Sequence, residues 1–245
     1  MTQSHTVASL ADDLARLGVE EGDVLFAHSS FKSLGAVEGG AETVVRALER
    51  AVGPEGTILM PSFNLVKENR EGTWDPATSP STVGWLTEFF RRMPGTLRSD
   101  HYSHAVAARG RRAEWFVKDH LSRRGWKSPW DRGRWGHTFG QDSPMLRACD
   151  ADGKILMIGV DYNSSTYMHV LEVRHWNEDL AANPDAEYFW INRQALGEHW
   201  DSLGQLQRGK VGDADCRLFS IRCFLDTCSR VLRERPADFF KYWHE

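Results

Sequence analysis

The sequence predicts an α/β protein in which a mixed, largely parallel sheet is flanked by helices. Short apolar runs that suit strands alternate with segments whose apolar residues recur at helical spacing. A strand, a glycine-containing loop, a helix and a second strand also follow one another in fewer than fifty residues. This order is typical of a parallel sheet with helices packed on its faces.

The first part of the chain supplies four predicted elements. They are a helix over residues 6–17, a strand over Asp23–His28, a helix over Ala41–Val52 and a strand over Gly56–Pro61. Glycine ends both helices, as expected where the chain must take up a left-handed conformation. The two strands should therefore lie side by side, joined by the helix.

Further predicted elements follow a loop-like stretch at residues 62–82. They are helices over Val83–Arg92, Arg111–Arg123 and Pro144–Ala148, an apolar strand over Ile155–Ile158, a helix from Thr166, short strands or hairpins near Glu187–Arg193, and a long helix over Asp215–Arg233. No repeat or linker interrupts this series, so we expect a single domain over residues 1–245.

Composition excludes several classes of function. The formal net charge is −4, which does not favour nucleic acid as a partner. No apolar run approaches about 18 residues and no signal pattern opens the chain, so we expect no membrane span and a cytoplasmic location. The four cysteines form no CxxC pair, in keeping with a reducing compartment. Several of the ten tryptophans lie in loop-like sequence, where they either wall a cleft or simply pack.

The segment KILMIGVDYNSSTYMHVLEVRHW has the pattern of a reactive centre. A buried strand ends at Gly159, and Thr166, His169 and Glu172 follow at steps of three on a helix. Such steps place side chains on one helix face, about 5–6 Å apart at Cβ. Ligands of open α/β sheets bind beyond the carboxyl ends of the strands. The pattern predicts His169 as a general base, Glu172 as the group that orients it and Thr166 as a hydrogen-bond donor.

Two other interpretations of this helix face remain open. One is a solvent-exposed His–Glu pair without function. The other is a metal site that adds His175, but that residue lies about 120° around the helix from His169, and no HExxH pattern is present. We therefore predict no metal.

The loop after the first strand is a second candidate. HSSFKSLGAVEGG joins hydroxyls, one lysine and glycines to the start of a helix, a setting that suits an anion or an extended polar ligand. Its glycine spacing matches neither a P-loop nor a dinucleotide fingerprint. A plain turn with a helix cap is the alternative.

A third cluster, His101, Ser103 and His104, precedes a run of small residues. No Gly-x-Ser-x-Gly elbow is present and no cysteine lies in a setting typical of a nucleophile. These absences favour direct transfer, or binding alone, over a covalent intermediate.

Six segments in this order resemble the aminoglycoside 3-N-acetyltransferases, the antibiotic N-acetyltransferase family. They are HSSFKSLGAVEGG, GPEGTILMPSFN, WDPATSPSTVGWLTEFFR, RSDHYSHAVAARG, FGQDSP and GKILMIGVDYNSSTYMHVLE, and they span roughly residues 8–175. The resemblance implies an α/β fold distinct from the GNAT acetyltransferases, whose pyrophosphate loop is absent here, and transfer of an acetyl group from acetyl-CoA to an amine. It also supports His169 and Glu172, which match the family's T-x-x-H-x-x-E motif.

The resemblance further implies which residues hold the two substrates. The residues expected along acetyl-CoA are Ser29, Ser30, Lys32, Ser33, Leu34, Gly35, Val37, His101 and Ser103. A polycationic acceptor would need acidic groups, for which Asp142 and Asp161 are candidates, with solvated loop carboxylates as the alternative. Residues 177–210, where the match is poor, are expected to shape the acceptor pocket. The family usually reads Arg-Ser-x-His-Pro-x-x-Ser, whereas Tyr102 and Ala105 stand in place of the proline and the last serine.

Three hypotheses follow, with a metallohydrolase as a distant fourth. The first is acetyl transfer to an aminoglycoside or related aminosugar. The second keeps acetyl-CoA but uses a biosynthetic amine as acceptor. The third is a CoA-binding homologue without turnover. The protein is expected to be a monomer or a homodimer.

Overall fold

The computed structural model describes residues 4–66 and 68–241. Its helices are α1 (Val7–Leu17), α2 (Ala41–Val52), α3 (Arg70–Thr73), α4 (Trp85–Arg92), α5 (Ala113–Val117), α6 (Pro144–Asp150), α7 (Thr166–Ala182), α8 (Arg193–Ser202), α9 (Ile221–Glu234) and α10 (Pro236–Phe239). Its strands are β1 (Val24–Ser29), β2 (Thr57–Pro61), β3 (Leu97–Arg98), β4 (Val106–Gly110), β5 (Lys154–Ile158), β6 (Trp190–Ile191), β7 (Gln207–Val211), β8 (Ala214–Ser220) and β9 (Phe240–Lys241).

Seven strands form one mixed sheet in the order β3-β4-β2-β1-β5-β8-β7. The central strands β2, β1 and β5 are parallel, whereas the outer strands pair antiparallel. The predicted α/β class with a mixed, helix-flanked sheet is confirmed. The parallel part is smaller than expected, because the outer strands β4 and β8 run antiparallel to their neighbours β2 and β5.

Apolar cores cover both faces of the sheet. Along β1, Val24 and Phe26 face one core, which also contains residues of α6, α7 and α9. Leu25 and Ala27 face the other, which contains residues of α1, α2 and α4. Because both faces are covered, the central strands are buried throughout, and their polar chemistry is confined to the strand ends.

Local signals explain where several elements begin and end. Thr6 and Ser9 form a capping box at the start of α1, and Gly18 ends the helix at φ +106°. Gly159 ends β5 at φ +59°, and a Cβ there would approach the Ser33 hydroxyl to 1.8 Å. A glycine at this position thus allows the loop after β1 to lie against the end of β5.

The structure differs from the predictions in three segments. The helix expected over Arg111–Arg123 is only the short α5. Residues expected to begin the last helix form β8, in which Ala214, Cys216 and Leu218 are buried at the period of a strand, and α9 starts only after Ser220 caps it. The hairpin expected near Glu187–Arg193 is replaced by β6, which pairs with the distant β9.

Candidate active site

The site lies where the parallel strands β1 and β5 end. Residue pairing runs from Leu25 opposite Lys154 to Ser29 opposite Ile158, so both strands finish at the same edge of the sheet. After β5 the chain turns at Gly159 and enters α7 at Thr166. The sheet thereby brings the end of β1 beside the first turn of α7.

A cleft of about 330 Å³ opens at this edge. It is lined by His28, Ser29, Pro61, Phe63, Leu65, Val83, Thr87, His104, Val160, Asn163, Ser164, Ser165, Thr166, His169 and Arg193. Two of the three residues predicted as the reactive centre, Thr166 and His169, line the cleft together with Ser29 of the predicted cofactor loop. The third, Glu172, lies behind His169.

His169 and Glu172 form a hydrogen-bonded pair. The distance from His169 Nδ1 to Glu172 Oε2 is 2.8 Å; the side chain of His169 is 16% exposed and that of Glu172 is fully buried. Because a carboxylate can only accept, Nδ1 carries the hydrogen, and the lone pair of Nε2 faces Nη2 of Arg193 at 3.2 Å. The buried carboxylate excludes the interpretation of this pair as a solvent-exposed one.

Glu172 accepts from several other groups. The hydroxyl of Tyr188 donates to Oε2 at 3.1 Å, and the N–H of Ile191 donates to Oε1 at 3.2 Å. Arg193 donates from Nε and Nη2 at 3.2–3.3 Å. Burial alone would raise the pKa of Glu172, but His169, the charge of Arg193 and the N–H of Ile191 together lower it below its ordinary value. Glu172 is therefore ionised at neutral pH.

His169 is neutral at pH 7. Burial lowers its pKa below the ordinary value of a histidine, and the charge of Arg193 acts in the same direction, while Glu172 opposes both. The indole of Trp130 packs edge-on against the imidazole with ring centroids 4.9 Å apart. A neutral, fixed imidazole can accept a proton from a group in the cleft.

Two buried hydroxyls in the cleft have no hydrogen-bond partner in the described parts of the chain. The buried Oγ atoms of Ser29 and Ser165 make no hydrogen bond there. Ser165 occupies the N-cap position of α7 but does not cap it with its side chain. His28 Nε2 accepts from the N–H of Thr166 at 3.4 Å, and burial lowers the pKa of His28 to about 3. Unpartnered hydroxyls at a helix N-terminus are suited to a polar ligand.

The cluster around His101 lies beside the cleft. His101 and Ser103 are fully buried and do not line it, whereas His104 does. Ser103 Oγ is 2.8 Å from His104 Nδ1 and 3.3 Å from His101 Nδ1, and His101 Nε2 is 3.3 Å from the hydroxyl of Thr138. Their expected role along acetyl-CoA thus stays a prediction, and what they visibly do is hold His104.

Tyr102 and Ala105, the two departures from the family motif, pack into a separate buried cluster with Trp74 and Trp135. The Tyr102 hydroxyl donates to the carbonyl of Trp130 at 2.8 Å. These loop tryptophans therefore pack: Trp130 lies against His169, behind the residues that line the cleft, and the two in this cluster are core.

The loop after β1 reaches the cleft only through Ser29 among its predicted contacts. Leu34 is fully buried in the core, Lys32 is exposed, and Val37 forms a bridge with His5. Ser33 Oγ donates to the carbonyl of Ser30 at 2.7 Å. The loop lies at the strand edge as expected, but its contacts with acetyl-CoA stay predictions.

Neither predicted acceptor carboxylate lines the cleft. Asp142 is buried between Arg124 and Arg147, and the hydrogen bond from Arg124 is the main reason that its pKa is lowered to about 2. Asp161 accepts from the N–H of Asn163 at 3.0 Å and caps a short turn. Both carboxylates already have local partners, so acceptor binding by either stays a prediction.

His175 lies away from the cleft, 3.7 Å from Glu178 and against the ring of Phe240. Within residues 4–66 and 68–241, no three His, Cys, Asp or Glu side chains are grouped so as to hold a metal ion. No helix in the same ranges is long and apolar enough to cross a bilayer.

Sequence reasoning missed Arg193, His28 and Tyr188 as parts of the site. His28 could have been found, because it lies next to Ser29 at a strand end. Arg193 and Tyr188 carry no local signal, although both lie within the stretch 177–210 that was expected to shape the pocket. They reach Glu172 from either side of β6, the short strand that packs against α7.

A buried carboxylate that holds a neutral imidazole at the edge of an α/β sheet is typical of an enzyme that moves a proton. Comparisons with known proteins specify the class further. The family model described as aminoglycoside 3-N-acetyltransferase matches residues 26–233. The chain is 32% identical over 253 residues to aminoglycoside N(3)-acetyltransferase IV of Salmonella sp, covering 95% of this chain and 89% of that protein.

Solved structures of similar fold are also aminoglycoside acetyltransferases. The apoenzyme of aminoglycoside acetyltransferase AAC(3)-IVa superposes with a TM-score of 0.79 at 30% identity, covering 98% of this chain and 92% of that one. A mutant of the same enzyme in complex with a gentamicin superposes with a TM-score of 0.77 at 29% identity, covering 96% of this chain and 91% of that one. The chain belongs to the aminoglycoside 3-N-acetyltransferase family and is an acyltransferase, which confirms the resemblance predicted from its motifs.

Proposed function

We propose that this protein transfers the acetyl group of acetyl-CoA to an amino group of an aminoglycoside or related aminosugar, with His169 as general base. The observation that carries the proposal is the 2.8 Å hydrogen bond between cleft-lining His169 and fully buried Glu172. Family membership supports the acetyl donor and the amine acceptor. The gentamicin complex of the AAC(3)-IVa mutant supports an aminosugar acceptor.

Acetyl-CoA supplies an activated acyl group when it is bound. Ser29 and Ser165, whose buried hydroxyls have no partner in the described residues, fit a role in holding such a polar ligand. The predicted contacts along the loop after β1 extend this role. His101 and Ser103 act through His104 in this proposal, because their own side chains are fully buried.

The acceptor must lose a proton before its nitrogen can attack. His169 Nε2 takes that proton, and Glu172 stabilises the imidazolium that results. The hydroxyl of Thr166 donates to the carbonyl oxygen as it gains negative charge, a kind of contact worth about 2.7–4 kcal/mol. His169 then passes this proton to the leaving sulfur, and the second proton that the nitrogen loses as the amide forms goes to solvent.

Replacement of His169 tests the proposal. We expect His169→Ala to lower kcat by about 10²–10⁴-fold in an assay of thiol release from acetyl-CoA, because the ammonium then has no base. Calorimetry should still show CoA binding. His199→Ala, a histidine outside the cleft, is the matched control and should keep its turnover.

Each outcome separates the hypotheses. Near-normal turnover of His169→Ala would eliminate the base assignment. CoA binding by the native protein without thiol release from any of a panel of amines would instead favour a binding protein without turnover.

A further inference from the structure

We propose that the acceptor is an amine that also carries an anionic group, a carboxylate or a phosphate, and that Arg193 binds this group. The inference rests on the proposed function, because it concerns the acceptor of the same cleft. It would distinguish this protein's substrate from a polycationic antibiotic.

The charge of the cleft lining is the first observation. None of its lining residues is Asp or Glu, and Arg193 is its one Lys or Arg among the residues that the structure describes. The histidines of the cleft do not add charge, since burial lowers the pKa of His28, His104 and His169. A polycation would find no carboxylate on this surface.

The carboxylates of Glu172, Asp131 and Asp161 already accept hydrogen bonds within the protein, Asp161 from the N–H of Asn163 at 3.0 Å. Glu172 is fully buried and shared by His169, Arg193, Tyr188 and the N–H of Ile191. Asp131 accepts from both the N–H and the hydroxyl of Ser128 at 2.6–2.7 Å. These groups are bound within the protein, so recruiting them for an acceptor would break existing hydrogen bonds.

The surface that adjoins the cleft also carries a net positive charge. A second cavity meets the cleft at Leu65 and is lined also by Asn69, Arg70, Glu71 and Arg132. Glu71, the one carboxylate among the described residues that line this cavity, lies 3.2 Å from Arg132. The rim of the cleft therefore adds positive charge in this direction.

Arg193 has spare capacity for an anion. Its Nε and Nη2 contact Glu172, but its Nη1 makes no hydrogen bond to the described residues. Nη1 can therefore donate a charge-assisted hydrogen bond to a carboxylate or phosphate without breaking the contacts with Glu172.

The position of Arg193 at the reacting centre supplies a further reason. Its Nη2 lies 3.2 Å from Nε2 of His169, the nitrogen that must accept the proton. An anion on the acceptor gives the guanidinium a partner other than that nitrogen. It also balances the charge, since Glu172 and Arg193 cancel and a bound ammonium would otherwise leave a net positive charge in a site largely screened from water.

The phosphates of CoA do not explain Arg193. The pantetheine arm separates them from the thioester, whereas Arg193 touches the base. In the transfer, the C–S bond of the thioester breaks as the C–N bond forms. One ammonium proton passes to His169 and from there to the leaving thiolate, and the second proton lost by the nitrogen goes to solvent. The anionic group takes part in none of these steps and serves recognition alone.

Matched acceptors test the inference. Thiol release is measured with glucosamine 6-phosphate against glucosamine, with 4-aminobutyrate against butylamine, and with gentamicin as the polycation. We expect kcat/KM of the native enzyme to favour the anionic member of at least one pair by about tenfold or more. A preference for glucosamine 6-phosphate alone would identify the anionic group as a phosphate. A preference for 4-aminobutyrate alone would identify it as a carboxylate.

Variants locate the preference. In Arg193→Met the ratio of kcat/KM within a pair should fall towards one, even if both values drop, and Arg193→Lys should retain part of it. Arg46→Met also breaks surface contacts of an arginine with glutamates, but Arg46 does not line the cleft, so this control should keep the ratio.

Two results would overturn the inference. One is turnover of gentamicin or the neutral amines in preference to both anionic ones. The other is a ratio unchanged in Arg193→Met, which together with an equal loss for every acceptor would assign Arg193 to the reacting oxygen instead. Thiol release from none of the acceptors would overturn the proposed function itself.

Discussion

At the scale of single residues, Glu172 controls the behaviour of His169. The carboxylate is fully buried, and it holds Nδ1 of the imidazole at 2.8 Å. It also raises the pKa of His169 against the opposing effects of burial and Arg193. Orientation and proton affinity of the base therefore depend on one side chain.

Replacing this carboxylate by its amide separates the two effects. We expect Glu172→Gln to lower kcat by about 10²–10⁴-fold, because the amide no longer fixes the tautomer or stabilises the imidazolium. The acidic limb of kcat/KM against pH, which in the native enzyme lies below pH 6.5, should move to still lower pH. The sign follows because an imidazolium without its anion gives up its proton more readily.

Glu178→Gln is the control for this variant. It makes the same change on the same helix, at a partly exposed glutamate paired with Arg233. An acidic limb that moved to higher pH in Glu172→Gln, or an equal effect in the control, would contradict the assignment.

Sequence spacing was sufficient to predict this pair but not its neighbours. His169 and Glu172 are three residues apart on one helix, so their contact is local. Arg193 lies 21 residues beyond Glu172, in another helix. Nothing in its neighbourhood in the sequence indicates a contact with a buried carboxylate.

At the scale of elements, the loop before α6 supports the base from the side. Trp130 packs 4.9 Å from the ring of His169 and 4.8 Å from that of His104. Its carbonyl accepts from Tyr102, which stands where the family usually has proline. The departure from the motif thus coincides with a support for the wall of the cleft.

Tyr102→Phe should reveal this support. We expect loss of the hydroxyl to lower the free energy of unfolding by about 1 kcal/mol in urea. The same variant should lower kcat by roughly two- to tenfold, because Trp130 then holds His169 less firmly.

Tyr167→Phe offers a comparison, since that hydroxyl also donates to a backbone carbonyl, that of Met145. It should cost similar stability but leave kcat nearly unchanged. Equal kcat in the native enzyme and Tyr102→Phe would show that the hydroxyl has no part in positioning the site.

At the scale of the whole molecule, several buried histidines make stability depend on pH. Burial is the main cause that lowers the pKa of His28 to about 3 and those of His120 and His175 to about 4. The folded state keeps these rings neutral at pH 5, whereas the unfolded chain protonates them near pH 6.5. The unfolded state therefore binds more protons in this range, and stability falls as pH falls.

Thermal unfolding between pH 7 and pH 5 checks this dependence. Full stability should be present above about pH 6.5, and each such histidine should remove about 1.4 kcal/mol per pH unit below it. The melting temperature should decline steadily over this interval, and His175→Gln should make the decline shallower. A melting temperature unchanged between pH 7 and pH 5 would contradict the prediction.

The sequence by itself determined the α/β class, the first two strands and helices, the pairing of His169 with Glu172, and the family. These features depend on local periodicity, on glycine at helix and strand ends, and on residues three apart on one helix. Such signals lie within a few residues of one another, so they can be read from the chain directly.

Only the tertiary structure decided the antiparallel outer strands, the burial of His101 and Ser103, and the charge of the cleft. Strand β8 pairs with β5 across more than fifty residues of chain, and Arg193 reaches Glu172 through the packing of separate elements. Asp142, a candidate for the acceptor site from its place in a loop, is instead paired with two arginines. Contacts between distant segments depend on the packing of the whole sheet, and no local pattern encodes them.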